Sequence, residues 1–275
     1  AAALIARIPI IHLYGGEATI GLIDEAVRNA ITKMSYLHFT STEKYKSSVI
    51  QMGEYPERVF CVGAMGVENA INTNLYAKKE LLQMLGCNEN IDYAVMTYHP
   101  VTLAKNDSKQ SVYEILKAIE YYPNLQVICT KANADMEGRK INEILEKYEE
   151  DHDNFYLFDS LGEKRYLSSL KYAKFVIVNS SSGIIEAPSF GIPTINIGKR
   201  QEGRIQAESI INCNCNTESI RNAINIALSE TMQAQIKYIQ NPYEKRNTSD
   251  QIVAITTDFL TNGKLCVEKK FYDIL

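Results

Sequence analysis

The chain has 275 residues, 45% of them hydrophobic and 23% charged, a globular balance with room for about two domains and a substantial core. Its net charge of −4 argues against nucleic acid as the main partner, because a surface that tracks phosphates is usually basic. No run of about 18 apolar residues is present, so no membrane span is predicted and the expected location is the cytoplasm.

The opening AAALIARIPIIHLYGG is interrupted by Arg7 and Pro9, so it reads as a helix end running into a buried strand over 8–13 rather than as a signal segment. A start without methionine, on what reads as the last turn of a helix, is taken as the mark of an absent front part. Gly15 and Gly16 then make a tight turn before Glu17. A helix is predicted over 22–35, with Leu22, Ala26, Ala30 and Met34 at one spacing and Ile23, Val27 and Ile31 beside them. Glu17 and Asp24 therefore fall at the carboxyl end of a strand, the side of a parallel sheet where sites form. Each also fits a plainer role, Asp24 as a surface pair with Arg28 and Glu17 as an acid suited to a helix start.

A strand over 38–41, a helix over 42–52 and a strand over 58–62 come next. Gly63, Gly66 and Asn69 mark a glycine-bearing exit near which the crossing to a second domain is placed. After a helix over 74–86 the strand 93–97 runs into YHPVT, leaving His99 at a strand end. That is the layer of function, although a lone histidine is also a common structural residue.

Helices over 109–122, 137–148 and 163–173 then alternate with strands over 126–130 and 155–158. Such alternation means a parallel sheet covered on both faces, so the fold class is α/β and doubly wound. Thr130, Lys131 and Asn133 end one strand, and Asp159, Ser160 and Leu161 end the next. They suit a base or ribose pocket, with helix capping by Asn133, Asp135 or Ser160 as the simpler alternative.

The stretch 175–204, FVIVNSSSGIIEAPSFGIPTINIGKRQEGR, carries the densest signal. An apolar strand over 175–178 enters a turn of Asn179, Ser180, Ser181, Ser182 and Gly183. A short helix stopped by Gly191 and Pro193 comes after the turn, then a strand over 194–197. Amides at such a helix start bind anions, the serine hydroxyls add donors, and Gly183 is expected to let a ligand approach the main chain. Glu186 suits ribose hydroxyls, and the cluster Lys199, Arg200 and Arg204 suits a diphosphate. Read plainly, NSSSG is a helix cap and Glu186 a solvated acid.

The remainder reads as a strand over 209–211, helices over 217–228 and 230–239, the breaker NPYEKRNTSD, a helix over 251–260, and a charged tail with no evident core face. Six cysteines, Cys61, Cys87, Cys129, Cys213, Cys215 and Cys266, lack a C-x-x-C pair, so neither disulfide nor metal is expected.

Three segments in this order carry a family look: IPIIHLYGGEATIGLIDEAVRNAITKMSYLHFTSTEKYKSSVIQMGEYPERVFCVGAMGVENA, YHPVT after a strand, and NSSSGIIEAPSFGIPTINIGKRQEGR. Together they closely resemble the hydrolysing UDP-N-acetylglucosamine 2-epimerases, which make amino sugars that feed sialic and related nonulosonic acids. The resemblance implies a GT-B-like architecture of two Rossmann-like domains with UDP bound between them. It divides the chain into 1–68, the later part of a first domain of about 150 residues, then 69–246, the UDP-binding domain, and 247–275, a C-terminal helix and tail.

Residue by residue, the resemblance sets Ser180, Ser181 and Ser182 at the diphosphate, Arg200 near the phosphates and Glu186 on the ribose. Asn133 and the Leu161 backbone fall around the nucleotide, with His99 facing sugar and phosphate. Glu17 and Asp24 fall in the catalytic-acid region, and Tyr14 stands where many members carry a glutamate. Implied are no cofactor, a UDP-sugar substrate, no nucleic acid or membrane partner, and a homodimer or homotetramer. The implied reaction gives N-acetylmannosamine and UDP from UDP-N-acetylglucosamine and water. Relatives acting on 2,4-diacetamido sugars share the HxxGGE pattern, and a GT-B glycosyltransferase or a non-catalytic nucleotide-sugar module remains as an alternative.

Overall fold

The computed structural model describes residues 1–18, 23–100, 108–133, 136–262 and 268–273. Its contacts gather into two compact units, one made of Ala1–Ile71 with Pro242–Leu275 and the other of Asn72–Asn241.

The first unit holds a parallel sheet of three strands, β1 (Ile11–Leu13), β2 (Leu37–Thr40) and β3 (Val59–Cys61), in that spatial order. The central strand β2 is buried along its whole length, as a strand flanked on both sides must be. Helices Ile23–Met34 and Glu43–Gln51 make the crossovers, and the Thr42 side chain caps the second by accepting from Tyr45 N at 3.3 Å.

Two expectations are corrected in this unit. Ala26, Val27 and Ala30 are not buried, so the predicted apolar stripe of the first helix is only partly used, and Thr32 is buried instead. The glycine-bearing exit is a helix, Met65–Asn72. The helix that precedes the charged tail packs into the core of this unit, while no described residue of the tail itself is buried. In helix Thr248–Thr261, Phe259 is buried with Tyr36, Leu37, Phe39 and Val62, and Ile252 and Ile255 pack beside them. Beyond it, Tyr272 N donates to Gly53 O at 2.9 Å and Lys269 is half-buried against Glu54, at 2.5 Å.

The second unit is a six-stranded sheet, every pairing parallel. Its strands are β4 (Tyr93–Thr97), β5 (Gln126–Thr130), β6 (Phe155–Phe158), β7 (Val176–Val178), β8 (Thr194–Ile197) and β9 (Ile210–Cys213). Their spatial order is β6-β5-β4-β7-β8-β9. The chain winds outward from β4 to one edge, returns to β7 and winds to the other, so the direction of winding reverses between β4 and β7. Both units are parallel-sheet α/β, and the second is doubly wound.

β4, β7 and β8 are buried at every residue, and the core joins Met96, Ile177 and Ile195 to Val112, Ile115, Ile220 and Ile224 of the covering helices. Each such side chain contributes about 2 kcal/mol when taken from water. The register Val95↔Val176, Met96↔Ile177, Thr97↔Val178 makes β4 and β7 end level, so the residues after them emerge side by side.

Candidate functional site

At that reversal, on the carboxyl ends of the strands, lies a hollow of about 750 Å³. Thr97 and His99 enter it from the end of β4, Thr130, Lys131, Ala132 and Asn133 from β5, Asp159 to Glu163 from β6, and Ser180, Ser181 and Ser182 from β7. It brings the two predicted strand ends, Thr130, Lys131 and Asn133 with Asp159, Ser160 and Leu161, together with His99, Ser180, Ser181 and Ser182.

The serine turn runs straight into helix Ser181–Ile185, then into the tight turn Ala187–Phe190, ended by Gly191 at φ 63°. Ser180 occupies the helix-capping position, yet its side chain makes no capping bond, so the hydroxyl is not used to finish the helix. Gly183 overturns an expectation. A Cβ there would lie 2.1 Å from Val178 Cγ2 and 3.2 Å from Thr194 Cγ2, so its smallness seats the helix on the sheet rather than admitting a ligand. Ser160 Oγ accepts from Gly162 N at 3.1 Å in a local turn, but the capping position of that helix is Leu161, which has no side-chain cap. The reading of Asp135 as a cap falls on residues 134–135, which lie outside the described residues.

Glu186 sits one turn beyond the serines. Burial raises its pKa above the ordinary carboxylate value, against the opposing pull of a hydrogen bond with Ser182 and the charge of Arg204. Ser182 Oγ also bonds Tyr166 Oη at 2.9 Å, and burial pushes that phenol up to about 12, keeping it a neutral hydroxyl. The three side chains make a hydrogen-bonded chain, of which Ser182 and Tyr166 line the hollow and Glu186 stands behind them. Lys131 is held by Asp159 at 2.6 Å and Glu146 at 2.7 Å. Those bonds raise its pKa, and its charge is met within the protein.

The basic cluster after β8 is divided. Arg200 Nη1 donates to Asn179 O at 3.0 Å, from behind the serine turn, whereas Lys199 and Arg204 line a second hollow of about 450 Å³ with Asn196 and Glu202. Neither Arg200 nor Glu186 is among the residues lining the first hollow.

Sequence reasoning missed two asparagines and a tyrosine. Asn179 is fully buried. Its Oδ1 accepts from His99 N at 2.9 Å and its Nδ2 donates to His99 O at 2.7 Å. Asn142 grips Ala132 in the same way, accepting from its N–H at 2.8 Å and donating to its carbonyl at 3.2 Å. Only the serines that follow it signalled Asn179, and Asn142 and Tyr166 gave no signal beyond their helix positions.

In the first unit, Glu17 is 4% exposed and its carboxylate accepts from Ser41 Oγ at 3.0 Å. Asp24 is exposed in the first turn of its helix. Arg28 does not make the expected partnership with it, instead donating to Glu17 O at 2.8 Å and pairing with Glu25 at 3.6 Å. Tyr14 takes a left-handed backbone, φ 65°, and its hydroxyl accepts from Gly66 N at 3.2 Å, holding the start of helix Met65–Asn72. The five described cysteines are free, with burial pushing Cys87 and Cys213 up to about 12. No helix among the described residues is long and apolar enough to cross a membrane.

A doubly wound parallel sheet with a hollow at its point of reversal defines a Rossmann-like α/β protein. The chain belongs to the UDP-N-acetylglucosamine 2-epimerase family, whose profile matches residues 1–257. It is 44% identical over 214 residues to a GDP/UDP-N,N'-diacetylbacillosamine 2-epimerase (hydrolyzing) of Campylobacter jejuni, an alignment covering 78% of this chain and 56% of that protein. It is 39% identical to the polysialic acid biosynthesis protein P7 of Escherichia coli, covering 99% of this chain and 69% of the relative. Its fold matches a UDP-GlcNAc 2-epimerase from Neisseria meningitidis bound to UDP-GlcNAc at a TM-score of 0.77 and 20% identity, over 94% of this chain and 72% of that one. The chain thus spans little more than half the length of its Campylobacter relative.

Proposed function

We propose that this chain serves a hydrolysing UDP-sugar 2-epimerase, converting UDP-N-acetylglucosamine and water to N-acetylmannosamine and UDP. The observation that carries the reading is the convergence of His99 with Ser180, Ser181, Ser182, Asn133 and Leu161 in one hollow where the sheet reverses. In the proposed reaction the proton at C2 leaves, the C1–O bond to UDP breaks with its electrons going to UDP, and a 2-acetamidoglycal forms. Water then adds across the double bond, its oxygen to C1 and a proton to C2.

A C–H with no adjacent carbonyl is a poor acid, so UDP departure runs ahead and leaves positive charge on the ring. Ser180 to Ser182 are assigned the diphosphate, an electrostatic role, and Arg200 adds charge from behind the turn. Glu186 takes the ribose hydroxyls, and Asn133 and the Leu161 backbone the nucleotide. His99 is assigned to orient or protonate the leaving phosphate, and Glu17 and Asp24 to carry protons and support the cationic ring.

The 44%-identical Campylobacter relative favours a second substrate, a UDP-2,4-diacetamido sugar, in the same reaction. Incubation with each UDP-sugar in D2O and no acceptor is the test. Free 2-epimerised sugar deuterated at C2, together with UDP, is expected. UDP-N-acetylmannosamine accumulating in place of free sugar would mean a non-hydrolysing enzyme. Turnover only with an added acceptor would mean a glycosyltransferase, and UDP binding without turnover a binding module.

A further inference from the structure

We propose that Asn179 is the positioning residue of this hollow, holding His99 in register with the serine turn. The role rests on the nucleotide-sugar reading above. The backbone pairing of β4 with β7 stops at Thr97↔Val178. One residue further along β7, the Asn179 carboxamide takes over, accepting from His99 N at 2.9 Å and donating to His99 O at 2.7 Å. Two antiparallel bonds to one residue fix both its position and its rotation. A single side chain thus continues the ladder past the end of the sheet, between residues 80 positions apart.

The same residue is held from its other side. Its backbone carbonyl accepts from Arg200 Nη1 and from Gln201 Nε2, each at 3.0 Å. Because the peptide is planar and trans, fixing that carbonyl also fixes the next N–H, that of Ser180, in the opposite direction. Asn179 therefore ties together the ends of β4, β7 and β8 through His99, the first serine and the Arg200 loop. It is fully buried and does not line the hollow, so it acts through its neighbours. Only an amide of this length both accepts and donates; aspartate keeps the shape and the acceptor but sets a carboxylate oxygen against the His99 carbonyl.

The test is a double-mutant cycle on UDP affinity, measured by calorimetry on wild type, Asn179→Asp, His99→Ala and the double variant, with melting temperatures confirming that each is folded. Each single change is expected to weaken UDP about tenfold, and the double variant also about tenfold rather than a hundredfold, because the first change acts through the second. An Asn179→Asp affinity within about twofold of wild type, or penalties that multiply, overturns the positioning role. A purely structural asparagine gives the multiplying result. A wild type that binds no UDP overturns the nucleotide-sugar reading and this role with it, whereas a binding wild type with multiplying penalties removes the role alone. If Asn179→Asp does not fold, Gln201→Leu replaces it, removing one donor to the Asn179 carbonyl. About a threefold loss that vanishes in the His99→Ala background supports the role, and wild-type affinity overturns it.

Discussion

Ser180 and Gly183 stand three positions apart, and the turn asks opposite things of them. The Ser180 hydroxyl makes no capping bond, so Ser180→Ala should change stability by less than about 0.5 kcal/mol. The same change should weaken UDP about fivefold if that hydroxyl meets the diphosphate. At Gly183 a methyl group would overlap Val178, so Gly183→Ala should cost about 1–3 kcal/mol of stability whatever it does to binding. Melting temperatures and UDP titrations on both variants separate the two, and a Ser180→Ala protein with unchanged UDP affinity would remove the hydroxyl from the site. Both residues are conspicuous in the sequence, because small polar residues after an apolar run announce a strand end. The reason for the glycine was not legible, since it depends on which side chain of β7 lies beneath it. Asn179 was hidden for a similar cause: its partner is 80 residues away and meets it only because β4 and β7 are neighbours.

At the scale of elements, the alternation of apolar runs with helical spacing was legible nearly to the residue at β5, β6 and helix Thr217–Leu228. The C-terminal tail was not, because what fastens it is a buried carboxylate and not an apolar stripe. Glu54 accepts from Lys33 at 2.7 Å and His38 at 3.2 Å, and Lys269 of the tail sits 2.5 Å from it. Lys269 also donates to the carbonyls of Thr32, Lys33 and Ser35 at the end of helix Ile23–Met34. Burial alone would raise the Glu54 pKa, but hydrogen bonds from His38, Lys269 and Lys33 outweigh it and hold the group at about 2, below its ordinary 4.5.

An acid whose native pKa is depressed contributes stability that is present above the unfolded value and lost as pH falls toward the native one, here between about 4.5 and about 2. His12 adds an earlier loss. Burial, then the nearby His38 and Arg28, lower it from 6.5 to about 4, so on acidification the unfolded chain takes up that proton first. Urea midpoints should therefore begin to fall below about pH 6.5 and go on falling from about pH 4.5 to about 2, and Glu54→Gln should flatten the lower part. An unchanged acid profile in that variant would show that the carboxylate does not set it.

For the whole molecule, alternation of strands and helices announced parallel sheets but not their order, and the order is what makes the site. Nothing local in residues 93–97 or 176–178 says that these strands are neighbours. Long-range packing decides it, and with it whether His99 and the serines share a hollow at all. That packing is contained within Asn72–Asn241, an uninterrupted stretch with a complete six-stranded sheet and its own apolar core. Every residue lining the hollow lies inside it. The fragment 72–241 should therefore fold alone with a cooperative thermal transition, and UDP at about a hundred times its dissociation constant should stabilise it by about 2.7 kcal/mol, read as a raised melting temperature. Because stabilisation by mass action needs only that the ligand bind the folded form, this outcome does not depend on turnover. A folded fragment whose melting point ignores UDP would mean that the hollow at the sheet reversal is not a sufficient nucleotide seat.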